Sequence, residues 1–251
     1  MIRKILNCAV ALTLVAGFAM AQPKVKSKKE YDAFVAIQNE KDPDQLAKKV
    51  DEFLAKYADT QLKTMALDLA ADAMQRKGDS VRAVVYAQTA LDSDPKDYQA
   101  MLLISGELAR QTRENDLDKE EKLAKSEKLA HDAMAAIEAA AKPNPQLSDE
   151  QWANHKKDVT SQAHEDLGMA ALARKKPDVA VAEFKLAVDG AATPDPGTMV
   201  RLAAAYDQAG KPDDALAMCN RILAMPNLHP AIKKFAENEK ARAEAAAKGG
   251  K

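Results

Sequence analysis

The chain has 251 residues, with 37 Lys and Arg against 38 Asp and Glu and a formal net charge of −1, a balance that gives no general attraction to nucleic acid or to anionic membrane surfaces. It is rich in alanine, carries only five Phe, five Tyr and one Trp, and has almost no runs of Val, Ile and Thr, which argues against a β-sheet. An all-α chain remains, built as one or two compact domains or as a repeat array.

At the amino terminus, Arg3 and Lys4 precede an apolar run from Ile5 to Met20, and Ala19-Met20-Ala21 supplies a small-x-small cleavage site. Residues 1–21 therefore read as a secretory signal peptide cut before Gln22. The run is shorter than the roughly 20 residues a spanning helix needs, so the expectation is a periplasmic or secreted protein with no membrane insertion after cleavage. Cys8 precedes most of the apolar region and does not resemble a lipid-anchored cysteine. Cleavage leaves 35 basic against 38 acidic side chains and Cys219 as the remaining cysteine, which cannot form an internal disulfide and falls on a helical stripe as a buried thiol.

Residues 22–29 read as a disordered leader, and the helical domain as 30–247. The first unit, near 30–61, pairs Tyr31, Phe34 and Val35 with Leu46, Val50 and Phe53 across a break at Lys41-Asp42-Pro43. The second, 64–97, places Leu67, Ala70, Ala71 and Met74 on one stripe and Ala83, Ala87 and Ala90 on another, with Gly78-Asp79 between them. A third, 98–143, starts with Met101, Ile104 and Leu108. Its partner stripe, Ala130, Met134 and Ile137, arrives late after the charged, helix-favouring insertion at 115–128. Lys142-Pro143-Asn144-Pro145 must end that helix. Ser148 and Gln151 make a capping-box start for an overlong helix through Trp152, Val159 and Leu167, so the fourth unit spans 148–194. In it, His164, Leu167, Gly168 and Ala171 share one face, Lys176-Pro177-Asp178 breaks the helix, and Ala180, Phe184, Ala187 and Val188 form the answering stripe, with Gly190 expected as its C-terminal cap. The fifth unit, 196–229, repeats the pattern through Met199, Leu202 and Tyr206, then Ala215, Cys219 and Ile222. A final helix, 230–247, covers the exposed apolar edge, and 248–251 are expected to fray.

Leu167-Gly168, then Ala180, Phe184 and Ala187, then Pro194 resemble the signature of the tetratricopeptide repeat, which has a 34-residue period. The phrase ALDSDPKD near 90–97 is similar to the same family. The resemblance implies a right-handed α-solenoid of stacked antiparallel helix pairs, with elongated helices in the middle and a C-terminal capping helix. It also implies a concave groove lined by the first helix of each pair. By template register the candidate groove residues are Met65, Asp68, Asp72 and Gln75; Gln99 and Leu102; Gln162, Glu165, Met169 and Leu172; and Val200 and Asp207. Acids and amides mixed with Met and Leu suit an extended peptide or helix of partly basic, partly apolar character. The carboxylate-clamp subfamily is not matched, because Asp68 and Asp72 stand where its basic residues would.

The sequence contains no glycine-rich phosphate loop, Cys-x-x-Cys, His-Glu-x-x-His or Gly-x-Ser-x-Gly, so neither catalysis nor a metal or other cofactor is expected. His164 lies on the packing stripe and reads as a core or groove-edge residue. The expected function is a non-enzymatic scaffold or adaptor in the bacterial cell envelope, with another protein or peptide as partner and no nucleic acid. An accessory subunit of an envelope enzyme or polymer-processing complex is the alternative, and a hydrolase centred on His155 or His164 a remote one.

Overall fold

The computed structural model describes residues 25–144 and 146–249; the signal peptide expected at 1–21 lies outside the described residues. Eleven α-helices and no strand occur among them. The chain divides into two compact units, and the division falls inside one helix. The amino-terminal unit holds α1 (Lys28–Gln38), α2 (Pro43–Lys56), α3 (Lys63–Lys77), α4 (Ser80–Ser93), the start of α5 (Tyr98–Gln111) up to Ile104, and the connecting residues 141–146. The carboxy-terminal unit holds α5 from Ser105 onward, α6 (Lys119–Ala139), α7 (Asp149–Ala173), α8 (Pro177–Gly190), α9 (Pro196–Gln208), α10 (Pro212–Leu223) and α11 (Pro230–Gly249).

Local chemistry fixes where these helices begin. Asp42 accepts a hydrogen bond from the Gln45 amide at 2.9 Å and Asp195 from the Thr198 amide at 3.1 Å, each followed by a proline whose missing N–H is one a helix start leaves unused. Ser148 and Gln151 form a complete capping box, at 3.0 and 2.9 Å. The leader is shorter than the sequence suggests: Ser27 Oγ accepts from the Glu30 amide at 3.1 Å, so α1 starts at Lys28. Glu30 then turns inward, accepting from the Thr60 hydroxyl at 2.6 Å and from the Lys26 amide at 2.6 Å.

Turns between paired helices use a left-handed residue at the same place in the pattern. Gly78 (φ 85°) ends α3 and Gly210 (φ 70°) follows α9, as glycine does without steric cost. After α7 the position is filled by Lys175 at φ 59°. Gly190, in contrast, is not a left-handed cap. It is the last residue of α8, and Ala191 leaves in extended backbone at φ −64°, ψ 142°.

In the amino-terminal unit, α1 packs on α2 and α3, and α3 on α2 and α4. Phe34, Ile37, Leu46, Val50, Phe53 and Met74 fill the interior, with Ala66, Ala70 and Ala83 where helices come close. In the carboxy-terminal unit α6 to α11 each pack on the next, except that α9 also meets α11 directly. Phe184, Val188, Met199, Leu202, Ile222 and Ala236 make its core, and Cys219 is fully buried there, burial pushing its thiol up to about 11. A β-carbon on Gly168 would lie 2.7 Å from two Phe184 ring atoms. The glycine of the repeat signature is thus the hole that receives the phenylalanine of the following helix, which is the packing reason for the Leu-Gly and Ala-x-x-x-Phe elements to occur together.

The charged insertion lengthens α6 to 21 residues at its amino-terminal end. Ser105 and Ser126 join α5 to α6 by exchanging hydroxyl-to-carbonyl bonds at 2.9 Å each way. At the far end of α7, Arg174 bonds Glu120 at 2.8 Å and also Glu127, and Lys175 pairs with Glu114. The insertion is thereby held to the α7–α8 turn by charge.

Candidate partner-binding faces

Each unit presents one candidate face, and the two differ in chemistry. On the amino-terminal unit, α3 supplies Met65, Asp68, Asp72 and Gln75, one turn apart along a single side. Met65 is 36% exposed, Asp68, Asp72 and Gln75 are half-buried, and Asp72 pairs with Arg76 at 3.0 Å. The start of α5 adds Gln99, exposed, and Leu102, half-buried.

The decisive member of this face is Asp97, which the template register does not include. It precedes α5 and its Oδ1 accepts from the Gln99 and Ala100 amides at 2.9 and 3.1 Å, while its buried Oδ2 receives no N–H or hydroxyl donor among the described residues. The Asp68 carboxyl faces it. Burial first, and then the Asp97 charge, push Asp68 well above the usual carboxylate range. Burial also raises Asp97, against the pull of the Ala100 amide. Two carboxyls so placed share a proton in preference to both ionising. Beside them, burial and the Asp97 charge push the Tyr98 phenol up to about 12. The sequence did carry a sign of Asp97, since the second Asp of SDPKD stands immediately before a helical run, where a capping acceptor belongs.

On the carboxy-terminal unit the register positions are largely engaged by the protein itself. Glu165 is 5% exposed, accepts from the Thr198 hydroxyl at 2.5 Å and pairs with Arg201 at 3.0 Å, so it does not offer a free carboxylate to a ligand. Met169, Leu172 and Val200 pack half-buried against the core. Gln162 donates to Asp166 at 3.1 Å. Asp207 accepts from Arg242 of α11 at 3.2 Å, so the capping helix also reaches the last register position. His164 is half-buried and its Nδ1 lies 2.8 Å from Glu183 of α8, a helix-to-helix tie. Among the described residues no group of three or more His, Cys, Asp or Glu side chains is placed to hold a metal ion, and no helix is long and apolar enough to cross a membrane.

No family model and no curated protein matches the chain by sequence. A thermophilic tetratricopeptide-repeat protein of Thermus thermophilus matches it by structure, with a TM-score of 0.56 at 17% identity, over 84% of this chain and 95% of that one. This is a tetratricopeptide-repeat fold. A tetratricopeptide-repeat protein from Parabacteroides merdae also aligns, at 15% identity over 88% of this chain and 89% of that one, with a TM-score of 0.38. An assembly chaperone of RpL4 aligns at 13% identity over 89% and 98%, with a TM-score of 0.45. In terms of the repeat, α3, α5, α7 and α9 are first helices and α4, α8 and α10 second helices, while α6 is a second helix extended by the insertion.

Proposed function

We propose that the protein is a non-enzymatic binding scaffold of the cell envelope, and that it takes a peptide or helical segment of mixed basic and apolar character on the α3–α5 face of its amino-terminal unit. The observation that carries this reading is the Asp68–Asp97 pair beside Met65. Met65 is the exposed large apolar side chain of that face, and the carboxyls next to it hold a proton for want of a cation. A lysine or arginine side chain arriving there displaces that proton and supplies the missing counter-charge, while Met65 and Leu102 contact the apolar part of the same segment. The signal segment at 1–21 supports export, and the fold supports partner binding in general.

Two measurements test it. Binding to an array of short peptides graded in Lys, Arg, Leu and Met content should favour basic-apolar members, lose affinity when their lysines are acetylated, and weaken in Asp68→Asn. A photo-reactive group at position 65 should crosslink to the bound peptide, whereas one at Val85, 59% exposed on α4, should not. Equal capture at both positions would refute the face. Mass spectrometry of protein from its native source should find a chain beginning at Gln22; an intact Met1 in the mature protein would remove the envelope from the proposal.

A further inference from the structure

Asp166 has no accessible surface, and its Oδ2 has no hydrogen-bond partner among the described residues. Its Oδ1 accepts from Gln162 Nε2 at 3.1 Å and lies 2.9 Å from the point a β-carbon on Gly106 would occupy. The two terminal guanidinium nitrogens of Arg110 lie 3.1 and 3.2 Å from that same point. Thus α7 brings a carboxyl, and α5 a guanidinium, to the edge of one small space that exists because residue 106 has no side chain. The guanidinium bonds Glu107 Oε1 at 2.5 Å.

We propose that Asp166, Arg110 and Glu107 form a proton-operated switch, in which Arg110 rests on Glu107 while Asp166 is neutral and swings across Gly106 to Asp166 when that carboxyl loses its proton to solvent. The arrangement leaves few alternatives. From α5 the groups facing Asp166 are Arg110, which Glu107 holds, and the Ser105 hydroxyl, which bonds to Ser126 of α6 and also pulls Asp166 down. On its own helix Asp166 has the Gln162 amide and the neighbouring Glu165 charge. The α9 cation, Arg201, is held by Glu165. Arg110 is the cation with freedom to respond, because its side chain is 35% exposed where Glu107 is 6%.

The direction follows from burial. Desolvation, reinforced by the Glu165 charge, pushes Asp166 up to about 8, against the Gln162 amide and Arg110. A neutral acid at pH 7 needs no counter-charge, so Arg110 stays with Glu107. Above that range an ionised Asp166 in a dry interior is costly without a cation, and Arg110 supplies it, its loss at the buried Glu107 being offset in part by the bond from Gln111 Nε2 at 2.8 Å.

Carboxyl carbon and arginine side-chain resonances of the full chain, followed by NMR from pH 5 to 10, test the switch. Asp166 should titrate with a midpoint above about 7, and the Arg110 guanidinium resonances should move with the same midpoint. Glu107→Gln frees Arg110 and should lower the Asp166 midpoint by about one pH unit or more. Asp166→Asn should hold Arg110 in one environment throughout, and Gly106→Ala should block its movement while leaving Asp166 neutral to higher pH. If Gly106→Ala fails to fold, the other two variants still decide. An Asp166 midpoint below about 5 would overturn the proposal. So would an Arg110 transition that persists in Asp166→Asn, or an Arg110 that is silent as wild-type Asp166 ionises.

Discussion

Both units hold carboxyl groups above their ordinary range, but by different means. In the amino-terminal unit burial raises both Asp68 and Asp97, and the Asp97 charge raises Asp68 further; Asp68 is half-buried and Asp97 buried. In the carboxy-terminal unit Asp166 sits alone with no accessible surface, raised by desolvation first and by Glu165 second. A like-charge pair would be relieved by a cation that reached it, so under the proposed binding its protonation reports the partner. A solitary interior acid is relieved only by a proton or by a side chain already inside, so its protonation reports conformation. Exposure therefore decides what a raised acid is able to report.

The largest test of that contrast is the pH dependence of stability. A carboxyl whose folded value is raised binds its proton more tightly when folded. The stability it contributes is fully present below its unfolded value near 3.8 and is lost as pH rises through about 8 for Asp166. Asp166→Asn removes this slope, and the variant should gain roughly 2–4 kcal/mol over wild type between pH 5 and pH 8 through the linkage of pKa to folding. Guanidinium chloride midpoints at the two pH values measure it. A variant as pH-sensitive as wild type would show that Asp166 is ionised and paired at neutral pH.

Gly106 and Gly168 sharpen the contrast at the next level. A β-carbon on Gly168 meets the Phe184 ring at 2.7 Å, and that ring is fully buried; Gly168→Ala should cost about 1–3 kcal/mol through overpacking at every pH. At Gly106 the obstruction is a carboxyl oxygen and a flexible guanidinium, so Gly106→Ala should cost toward the lower end, about 1 kcal/mol, with a penalty that grows above pH 8. Thermal melts at pH 6 and 9 separate the two; equal pH dependence would place both glycines in the same apolar role.

Much of the fold is legible in the chain because local chemistry sets it. The Ser148 and Gln151 capping box, the Asp-Pro starts at α2 and α9 and the glycines at 78 and 210 announce where helices start and stop. The complementarity of Gly168 and Phe184 is encoded in the repeat spacing. The faces are less legible because their chemistry comes from residues distant in sequence. Glu165 reads as groove-lining on its own helix, yet Thr198 and Arg201 arrive from the next repeat to engage it. Asp207 likewise meets Arg242 of the capping helix. Asp166, next to Leu167-Gly168, looks like an ordinary polar position until Gly106 of an earlier repeat closes over it. Lys175 shows the converse limit, since helix closure by the neighbouring residues imposes a left-handed backbone on a residue whose type gives no sign of it.

A smaller effect is expected at Asp68. Asp68→Asn removes a half-buried titrating group and should stabilise the amino-terminal unit by about 1 kcal/mol at pH 8, with little change at pH 4, because the raised wild-type carboxyl has its full stabilising effect only below its ordinary range. In the presence of a basic-apolar peptide the sign should reverse, since wild type gains the bound cation and the variant does not. Calorimetry in two buffers of different ionisation enthalpy should detect proton release on binding to wild type that Asp68→Asn lacks. Binding without proton release would leave the peptide face intact and remove the pair from it.

The smallest net change is expected at Asp97, where two roles oppose one another. Its Oδ1 caps α5 through the Gln99 and Ala100 amides, and its charge raises Asp68. Asparagine keeps a capping oxygen and discards the charge, so Asp97→Asn should lie within about 0.5 kcal/mol of wild type at pH 7 while lowering the Asp68 midpoint. Alanine discards both and should lose about 1 kcal/mol relative to asparagine, which isolates the cap. If the two variants are equally stable, the cap contributes nothing measurable and Asp97 is held in place by burial alone. If neither moves the Asp68 midpoint, the carboxyls do not share a proton, and the edge of the amino-terminal unit behaves as the interior of the other does.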